Sequence, residues 1–291
     1  MTATPSPQQT IRAILALATD FLKKRGVETP RLDAEILFSH ALEFSRVQLY
    51  TRLDQPLNQD EIASFRELIR RRAAREPVAY ITGKKEFWSL ELAATPDVLI
   101  PRPETERLVE ACLEVLLPGS RARVLDMGTG SGAIILALAK ERPGLVCHAA
   151  DISVKALDVA RQNAARLGLS SNINFFESDW FCGLTPGSRY GVIVSNPPYV
   201  RGLDIAGLAP EISHEPRMAL NGGADGLDCF RRIILEAPGF LEQKGWLMLE
   251  CGHDQKPGIT AIAGQAGAYE PPDFLLDYAK NIRVARLRKK A

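Results

Sequence analysis

The four residues Asn196-Pro197-Pro198-Tyr199 directly follow an apolar run at 190–195, where a buried strand should end. An amide or exocyclic amino nitrogen is a poor nucleophile because its lone pair is delocalised, and acceptors on both of its hydrogens help to localise that pair. We expect the Asn196 side-chain carbonyl and the Pro197 backbone carbonyl to be these acceptors. Pro197 and Pro198 fix the loop, and the Tyr199 ring offers a flat face for stacking. The motif therefore indicates methylation of a planar nitrogen, although a strand that ends in an ordinary proline turn has the same pattern.

A second motif lies upstream and consists of a short apolar strand, a glycine-rich loop and an apolar helix at 133–140. This order is typical of a nucleotide-binding strand, loop and helix. The positions that we expect to bind a cofactor are Asp126, Gly128, Thr129, Gly130, Ser131 and Gly132. Glycines let the backbone approach a ligand, and the Asp126 charge suits a sulfonium and an ammonium group better than a pyrophosphate. For the loop alone, a tight turn or a dinucleotide site remains the alternative.

Acidic residues follow the next two predicted strands. Asp151 lies nineteen residues beyond Gly132, where an acid can accept from both ribose hydroxyls. Asp179 and Trp180 follow the third strand, at 173–176, and offer an acceptor and an aromatic wall for an adenine ring. A single acid at a strand end is often only a helix cap or a solvated loop residue. Their placement at successive strand ends favours an adenosine-containing ligand.

The composition limits the possible functions. The chain has 291 residues, 46% of them hydrophobic, which is enough for a large α/β domain and a smaller one. Its 36 basic and 35 acidic side chains give a net charge of +1, so no global field draws the protein to nucleic acid or anionic lipid. The five cysteines and four histidines lack metal-ligand spacing, and we expect reduced thiols and no metal. Since no apolar run approaches the ~20 residues of a membrane span and no signal core begins the chain, we expect a cytoplasmic protein without a membrane partner.

The predicted elements divide the chain into three parts. Residues 1–76 have apolar positions that recur every three or four residues, and they predict a helical bundle. Residues 77–103 predict a linker with two short strands, at 86–88 and 90–92. Residues 104–291 alternate strands with helices, which predicts a mostly parallel sheet with its ligand sites at the carboxyl ends of the strands.

Three local features have more than one interpretation. The arginine-rich stretch at 70–75 fits a solvated helix end or a contact for RNA or an acidic partner. The basic tail at 283–290 alternates with apolar residues, as a half-exposed edge strand does. Thr105 or Glu104 is expected to cap the helix that begins the third part.

With these residues assembled, the chain resembles the release factor glutamine methyltransferases, the family that N5-methylates the glutamine of the Gly-Gly-Gln motif in class I peptide chain release factors. The resemblance covers nearly the whole chain, and blocks outside the glycine loop are its most specific part. These blocks lie at 77–83, 86–88, 99–106, 178–180, 215–220 and 222–227. The family often has Glu-His-Gly or Glu-Ile-Gly where this chain has Glu250-Cys251-Gly252, and we expect little functional effect from that difference.

The resemblance implies a Rossmann-like seven-stranded class I methyltransferase domain with an antiparallel last strand. It also implies a small N-terminal all-α helical bundle for substrate recognition, and a β-hairpin linker. S-adenosylmethionine would be the methyl donor, S-adenosylhomocysteine the product and a class I release factor the protein substrate. On the matching positions, residues 128–132 would pass beside the methionine part, Asp151 would bind ribose, Trp180 would border adenine, and 196–199 would hold the glutamine. The segment 102–105 would also lie by the cofactor.

Two other functions stay open at this point. A nucleic-acid adenine N6 methyltransferase would use the same Asn-Pro-Pro-Tyr chemistry on a flipped base. The near-neutral charge and the lack of an evident base-reading module argue against it, and we expect no direct DNA binding. A non-catalytic module that senses an adenosine-containing metabolite would have no use for an intact loop at 196–199.

Overall fold

The computed structural model describes residues 10–291, and the chain forms two compact units. Among the described residues, the smaller unit consists of 10–83 together with 209–214. Within the described residues it contains α1 Ile11–Lys24, α2 Pro30–Ala41, α3 Arg46–Thr51, α4 Gln59–Ala73 and α5 Val78–Thr82. Apolar side chains from all five pack into one core, because each helix has an apolar stripe. Asn58 caps α4 and forms a capping box with Glu61, as the polar residue before the apolar repeat predicts.

The arginine-rich stretch at the end of α4 is engaged in ion pairs within this unit. Arg72 is buried, and its Nε lies 2.7 Å from a carboxylate oxygen of Asp33. Arg72 and Arg75 also bind Glu211, at 2.9 and 3.0 Å, which ties the segment 209–214 to α4. Arg72 and Arg75 are therefore not a free basic surface, whereas Arg70 is exposed, as at a solvated helix end.

The larger unit is a seven-stranded sheet with helices on both faces and a two-stranded hairpin. The hairpin strands are β1 Lys84–Phe87 and β2 Leu90–Ala93, and the sheet strands are β3 Arg123–Met127, β4 Val146–Asp151, β5 Ile173–Glu177, β6 Tyr190–Ser195, β7 Leu241–Glu250, β8 Asp273–Leu276 and β9 Ile282–Arg288. The strand order in the sheet is β5-β4-β3-β6-β7-β9-β8, and β9 runs antiparallel to both of its neighbours. The helices are α6 Glu106–Val115, α7 Ala133–Glu141, α8 Val154–Arg166, α9 Asp228–Glu236 and α10 Lys256–Ala266. The Rossmann-like fold with an N-terminal helical region is confirmed.

Alternate residues of each central strand enter different cores. Val124 belongs to the core beneath α6 and α7, whereas its neighbour Leu125 belongs to the core beneath α9 and α10. Val192 and Ile193 of β6 divide in the same way. Because successive side chains of a strand point to opposite faces, these nearly continuous apolar runs produce a sheet that is covered on both sides.

Two local predictions were wrong. The basic tail is not an edge strand, because β9 pairs with β7 on one side and with β8 on the other. Trp88 is not in a strand, because Trp88 and Ser89, with φ of 52° and 53°, form the turn between β1 and β2. The alternating pattern reports which side chains are buried and carries no information about how many neighbours a strand has.

The sheet has a topological switch point between β3 and β6. The chain proceeds from β3 outward to β4 and β5, and then returns to the other side of β3 as β6. Ligands of open α/β sheets bind at such a point, beyond the carboxyl ends of the strands. The glycine-rich loop follows β3 and the Asn-Pro-Pro-Tyr loop follows β6, so both predicted motifs meet there. Among residues 10–291, no helix has the combination of length and apolarity that a membrane crossing requires.

Candidate active site

A cavity of about 280 Å³ lies in the larger unit at this switch point. It is lined by nine residues that the sequence predicts for the site: Gly128, Thr129, Gly130, Ser131, Asp151, Asp179, Trp180, Asn196 and Pro198. Four other predicted residues lie close by in the chain without lining it: Asp126, Gly132, Pro197 and Tyr199. The cavity therefore brings the ends of four strands together.

The glycine-rich loop exposes bare backbone at two positions. Gly128 and Gly130 have φ of 67° and 54°, and a Cβ built on either would meet no atom within 4 Å. Side chains rarely adopt this conformation, so both positions favour glycine and leave space beside the backbone. Gly132 differs, because its Cβ would lie 3.0 Å from a Leu136 methyl and 3.3 Å from Ala160. Its role is to let α7 pack closely against α8.

Asp126 lies beneath the glycine-rich loop. Its carboxylate is fully buried, one oxygen accepts from the Thr129 hydroxyl at 2.7 Å, and the other has no hydrogen-bond partner among residues 10–291. Burial raises the pKa of Asp126 to about 7, opposed by the Thr129 hydrogen bond and assisted by the charge of Asp151. Asp126 does not line the cavity and is joined to the glycine-rich loop through the Thr129 hydroxyl.

Asp151 holds the glycine-rich loop from the next strand end. Its two oxygens accept from the backbone N–H groups of Gly130 and Ser153, both at 2.9 Å. The carboxylate retains acceptor capacity beyond these two hydrogen bonds, and the residue lines the cavity. Burial raises the pKa of Asp151, and the N–H groups of Ser153, Gly130 and Ile152 oppose that shift. The free acceptor sites suit a pair of vicinal hydroxyls.

Asp179 and Trp180 form another part of the cavity wall. Asp179 accepts two hydrogen bonds from the Arg232 guanidinium, at 2.9 and 3.1 Å. Trp180 has φ of 52°, and the Ser178 hydroxyl donates to its carbonyl at 2.6 Å. The arginine and the serine hold this turn, so that a carboxylate and an indole ring stand side by side.

The Asn-Pro-Pro-Tyr loop is fixed by polar contacts at both ends. Ser195, the last residue of β6, donates to the Met127 carbonyl at 2.7 Å and joins this strand end to β3. Asn196 Nδ2 donates to the Thr105 hydroxyl at 3.2 Å. The Tyr199 hydroxyl donates to Glu250 at 3.2 Å, and burial together with that carboxylate raises the pKa of Tyr199 above its usual range. Since the amide nitrogen of Asn196 faces Thr105, its carbonyl oxygen is left for a ligand.

A glycine-containing segment, residues 222–227, packs against the backbone of this loop. Gly222 N donates to the Val200 carbonyl at 2.8 Å. The side chain of Gln255 donates to the carbonyls of Tyr199 and Gly226, at 3.0 and 2.9 Å. A Cβ at position 222 would lie 2.8 Å from the Pro198 carbonyl oxygen and from the Tyr199 Cα. The block at 222–227 thus shapes the backbone of the Asn-Pro-Pro-Tyr loop.

Sequence reasoning missed Glu250 and Asn163, and it placed the segment 102–105 in the site only through the resemblance; Arg102 and Thr105 of that segment do line the cavity. Thr105 occupies the N-cap position of α6, as predicted, but its hydroxyl makes no cap hydrogen bond and instead donates to Glu250 at 2.6 Å. Asn163 is fully buried in α8 and binds the Ser131 carbonyl at 2.9 Å and the Ala93 N–H at 2.7 Å. An amide in an otherwise apolar helix face was a usable signal for Asn163. Glu250 is buried at the end of β7, and an acid at the end of a predicted strand was a usable signal for a site residue.

The fold and the cavity define a class: a Rossmann-like methyltransferase with an additional N-terminal helical region. Two family models agree with this, one described as "PrmC N-terminal domain" over residues 13–83 and one as "Methyltransferase small domain" over residues 105–224. A methyltransferase from Pyrococcus furiosus shares the fold, with a TM-score of 0.51 and 19% identity over 69% of this chain and 89% of that one. The hMettl16 catalytic domain, solved with an RNA hairpin, has a TM-score of 0.58 and 17% identity over 75% of this chain and 81% of that one.

Close relatives identify the particular family. "Release factor glutamine methyltransferase" of Moorella thermoacetica is 43% identical over 270 residues, which cover 93% of this chain and 95% of that protein. The protein of the same name from Vibrio cholerae is 42% identical over 277 residues, which cover 94% and 95% of the two chains. The chain belongs to the release factor glutamine methyltransferase family. The resemblance stated from the sequence is confirmed.

Proposed function

We propose that this enzyme transfers a methyl group from S-adenosylmethionine to the side-chain amide nitrogen of the glutamine in the Gly-Gly-Gln motif of class I release factors. The observation that supports this most directly is the orientation of Asn196, whose amide nitrogen is bound by Thr105 and whose carbonyl is left at the cavity. Relatives named for this activity align over nearly their full length.

The cavity fits the proposed cofactor. S-adenosylmethionine supplies an electrophilic methyl group on a cationic sulfur. The open backbone at Gly128 and Gly130 leaves room for its methionine part, and the free acceptor sites of Asp151 suit its ribose hydroxyls. Trp180, with Asp179 beside it, offers a wall for the adenine ring. The buried charge of Asp126 adds to a negative environment that favours a cation.

The Asn-Pro-Pro-Tyr loop would position the glutamine amide. The Asn196 Oδ1 and the Pro197 carbonyl accept its two N–H bonds, and neither oxygen accepts a hydrogen bond from residues 10–291 in this structure. Both acceptors increase the electron density on the amide nitrogen and direct its lone pair at the methyl group. Pro198 stiffens the loop, and Tyr199, which does not line the cavity, is anchored at its hydroxyl by Glu250. Once methylated, the nitrogen carries an acidic proton that water can remove, so the loop needs no dedicated general base.

The helical region, residues 1–76, would recognise the release factor, with 77–103 as the linker and 104–291 as the catalytic domain. An exposed tripeptide offers few contacts, so much of the binding energy must come from elsewhere on the substrate. The nucleic-acid alternative gains no support from this region. The arginines at 70–75, which were the candidates for a phosphate contact, are all paired with acidic residues.

The test is methyl transfer from labelled S-adenosylmethionine to a purified class I release factor, with mass spectrometry to locate the methyl group. The matched controls are the same factor with the Gly-Gly-Gln glutamine changed to alanine, and duplex DNA. We expect label on the unmodified factor alone. Label on the DNA, or equal label on the alanine variant, would refute the proposal.

A further inference from the structure

The amide of Asn196 is connected to a buried carboxylate on a distant strand. Asn196 Nδ2 lies 3.2 Å from the Thr105 hydroxyl oxygen, and that oxygen lies 2.6 Å from Glu250 Oε2. Thr105 and Glu250 are 4% and 1% exposed, so the hydrogen bond between them is shielded from bulk water. The chain of contacts joins the loop after β6, the start of α6 and the end of β7.

The direction of these hydrogen bonds follows from counting protons. A threonine hydroxyl has one proton, and an ionised carboxylate can only accept. Thr105 therefore donates to Glu250 and has only lone pairs to offer Asn196. The group of Asn196 that faces Thr105 must then be its NH2, and its Oδ1 must face the other way. A threonine without that acid could accept or donate, and both orientations of the amide would be possible.

Glu250 is also the hydrogen-bond partner of Tyr199. The Tyr199 hydroxyl lies 3.2 Å from Glu250 Oε1, so each carboxylate oxygen receives one hydroxyl. Burial raises the pKa of Glu250, while the Thr105 hydroxyl, the charge of Arg283 and the Tyr199 hydroxyl act against it. In this structure both carboxylate oxygens accept, one from each hydroxyl, and the charge of Arg283 favours the ionised form in which Glu250 can only accept.

We propose that Glu250 and Thr105 are positioning residues: Glu250 fixes the donor direction of the Thr105 hydroxyl, and Thr105 thereby holds the Asn196 carbonyl toward the substrate amide. This rests on the proposed function for its consequence in catalysis, and on the hydrogen-bond geometry for the orientation itself. In the opposite orientation, the NH2 of Asn196 would meet the NH2 of the substrate, and two donors would face each other. Glu250 and Thr105 thus select the orientation of the Asn196 amide in which its carbonyl can accept from the substrate.

The test compares Thr105→Val, which has nearly the same shape without the hydroxyl, with Thr105→Ser, which keeps it. We expect the valine variant to lower kcat for release factor methylation on the order of 10- to 100-fold, as misplacement of a catalytic group does. Thr105 itself lines the cavity, so the dissociation constant of S-adenosylmethionine is measured for each variant, and we expect it to change by a smaller factor than kcat. The serine variant should restore most of the loss. A thermal midpoint for each variant, with Thr105→Ala beside the valine variant, separates positioning from misfolding.

A second readout does not depend on activity. In protein labelled with 15N-asparagine, the Asn196 side-chain NH2 signal is assigned by its loss in Asn196→Ala. We expect slow hydrogen exchange of this NH2 in the wild type and in Thr105→Ser, and faster exchange in Thr105→Val, because its acceptor is gone. Unchanged exchange in the valine variant, or a kcat within about twofold of the wild type, would overturn the inference. A wild type that does not methylate the release factor would refute the proposed function instead, and the exchange measurement would still decide the orientation.

Discussion

Gly222 is the position where a single methyl group should most selectively disturb the Asn-Pro-Pro-Tyr loop. In Gly222→Ala, the added Cβ would lie 2.8 Å from the Pro198 carbonyl oxygen and the Tyr199 Cα, and 2.9 Å from the Gly226 carbonyl oxygen. All three are backbone atoms, which cannot turn away as a flexible side chain can. Ordinary contacts begin at 3.4 Å, so the loop must shift by roughly 0.6 Å.

The magnitude of the effect follows from that shift. Forcing a methyl group into packed structure costs about 1–3 kcal/mol, which lowers the Tm of a domain of this size by roughly 5 °C. A misplacement of about 1 Å at reacting groups can reduce the rate about 100-fold, so we expect kcat to fall on the order of 10- to 100-fold. The affinity for S-adenosylmethionine should change little, because the glycine-rich loop is not displaced.

The assay is steady-state methylation of the release factor, with calorimetric titration of the cofactor. Gly207→Ala is the matched control, because a Cβ there meets no atom within 4 Å and its φ is not left-handed. If Gly222→Ala and Gly207→Ala have the same kcat, the packing of the 222–227 block does not shape the catalytic loop. A loss confined to cofactor affinity would also contradict the reasoning.

Three further predictions concern burial. The raised pKa of Asp126, about 7, means that the folded state binds more protons than the unfolded state between about pH 4 and 7. The free energy of unfolding of the wild type should therefore fall relative to Asp126→Asn as the pH rises from 5 to 8, by at most about 3 kcal/mol, in urea denaturation without cofactor. Arg72→Met leaves Asp33 buried without its cation and should destabilise the helical unit by about 3 kcal/mol, measured in the same way. Asn163→Ala removes two buried hydrogen bonds, and should cost about 2 kcal/mol of stability and weaken cofactor binding in calorimetry.

Each of these has a result that would contradict it. Parallel pH profiles for the wild type and Asp126→Asn would show that Asp126 titrates normally. Arg70→Met, which removes an exposed pair with Glu67, should change stability by less than about 0.5 kcal/mol. If it matches Arg72→Met, burial is not what makes the Arg72 pair matter. An unchanged cofactor affinity in Asn163→Ala would mean that the Ser131 carbonyl does not need this support.

Much of the site was predictable because parallel strands place their carboxyl ends at one edge of a sheet. The residues after β3, β4 and β6 could therefore be assigned to one cavity from their order alone. The contact between Thr105 and Glu250 could not, because it joins residues 145 positions apart through the packing of α6 against the sheet. The same holds for Arg72 with Glu211, since nothing in either local pattern specifies the partner.

Local conformation was the other source of error. The pattern around Trp88 is apolar on both sides of the turn, and only the backbone conformation of Trp88 and Ser89 shows where β1 ends. β9 lies inside the sheet because β8 pairs with the side of β9 that faces away from β7. The connections between the strands decide this pairing, and the sequence of a single strand does not. Asp126 was correctly placed at a strand end, but its depth below the loop is a property of the folded packing.

The central claim is that the Asn196 carbonyl holds a glutamine amide for methylation. The most direct test is to locate the methyl group by mass spectrometry after reaction of a class I release factor with the wild type and with Asn196→Ala, at matched cofactor occupancy. The account predicts one methyl group on the side-chain nitrogen of the Gly-Gly-Gln glutamine with the wild type, and at least about 100-fold less with the variant. A methyl group on another residue, or transfer by Asn196→Ala at the wild-type rate, would contradict it.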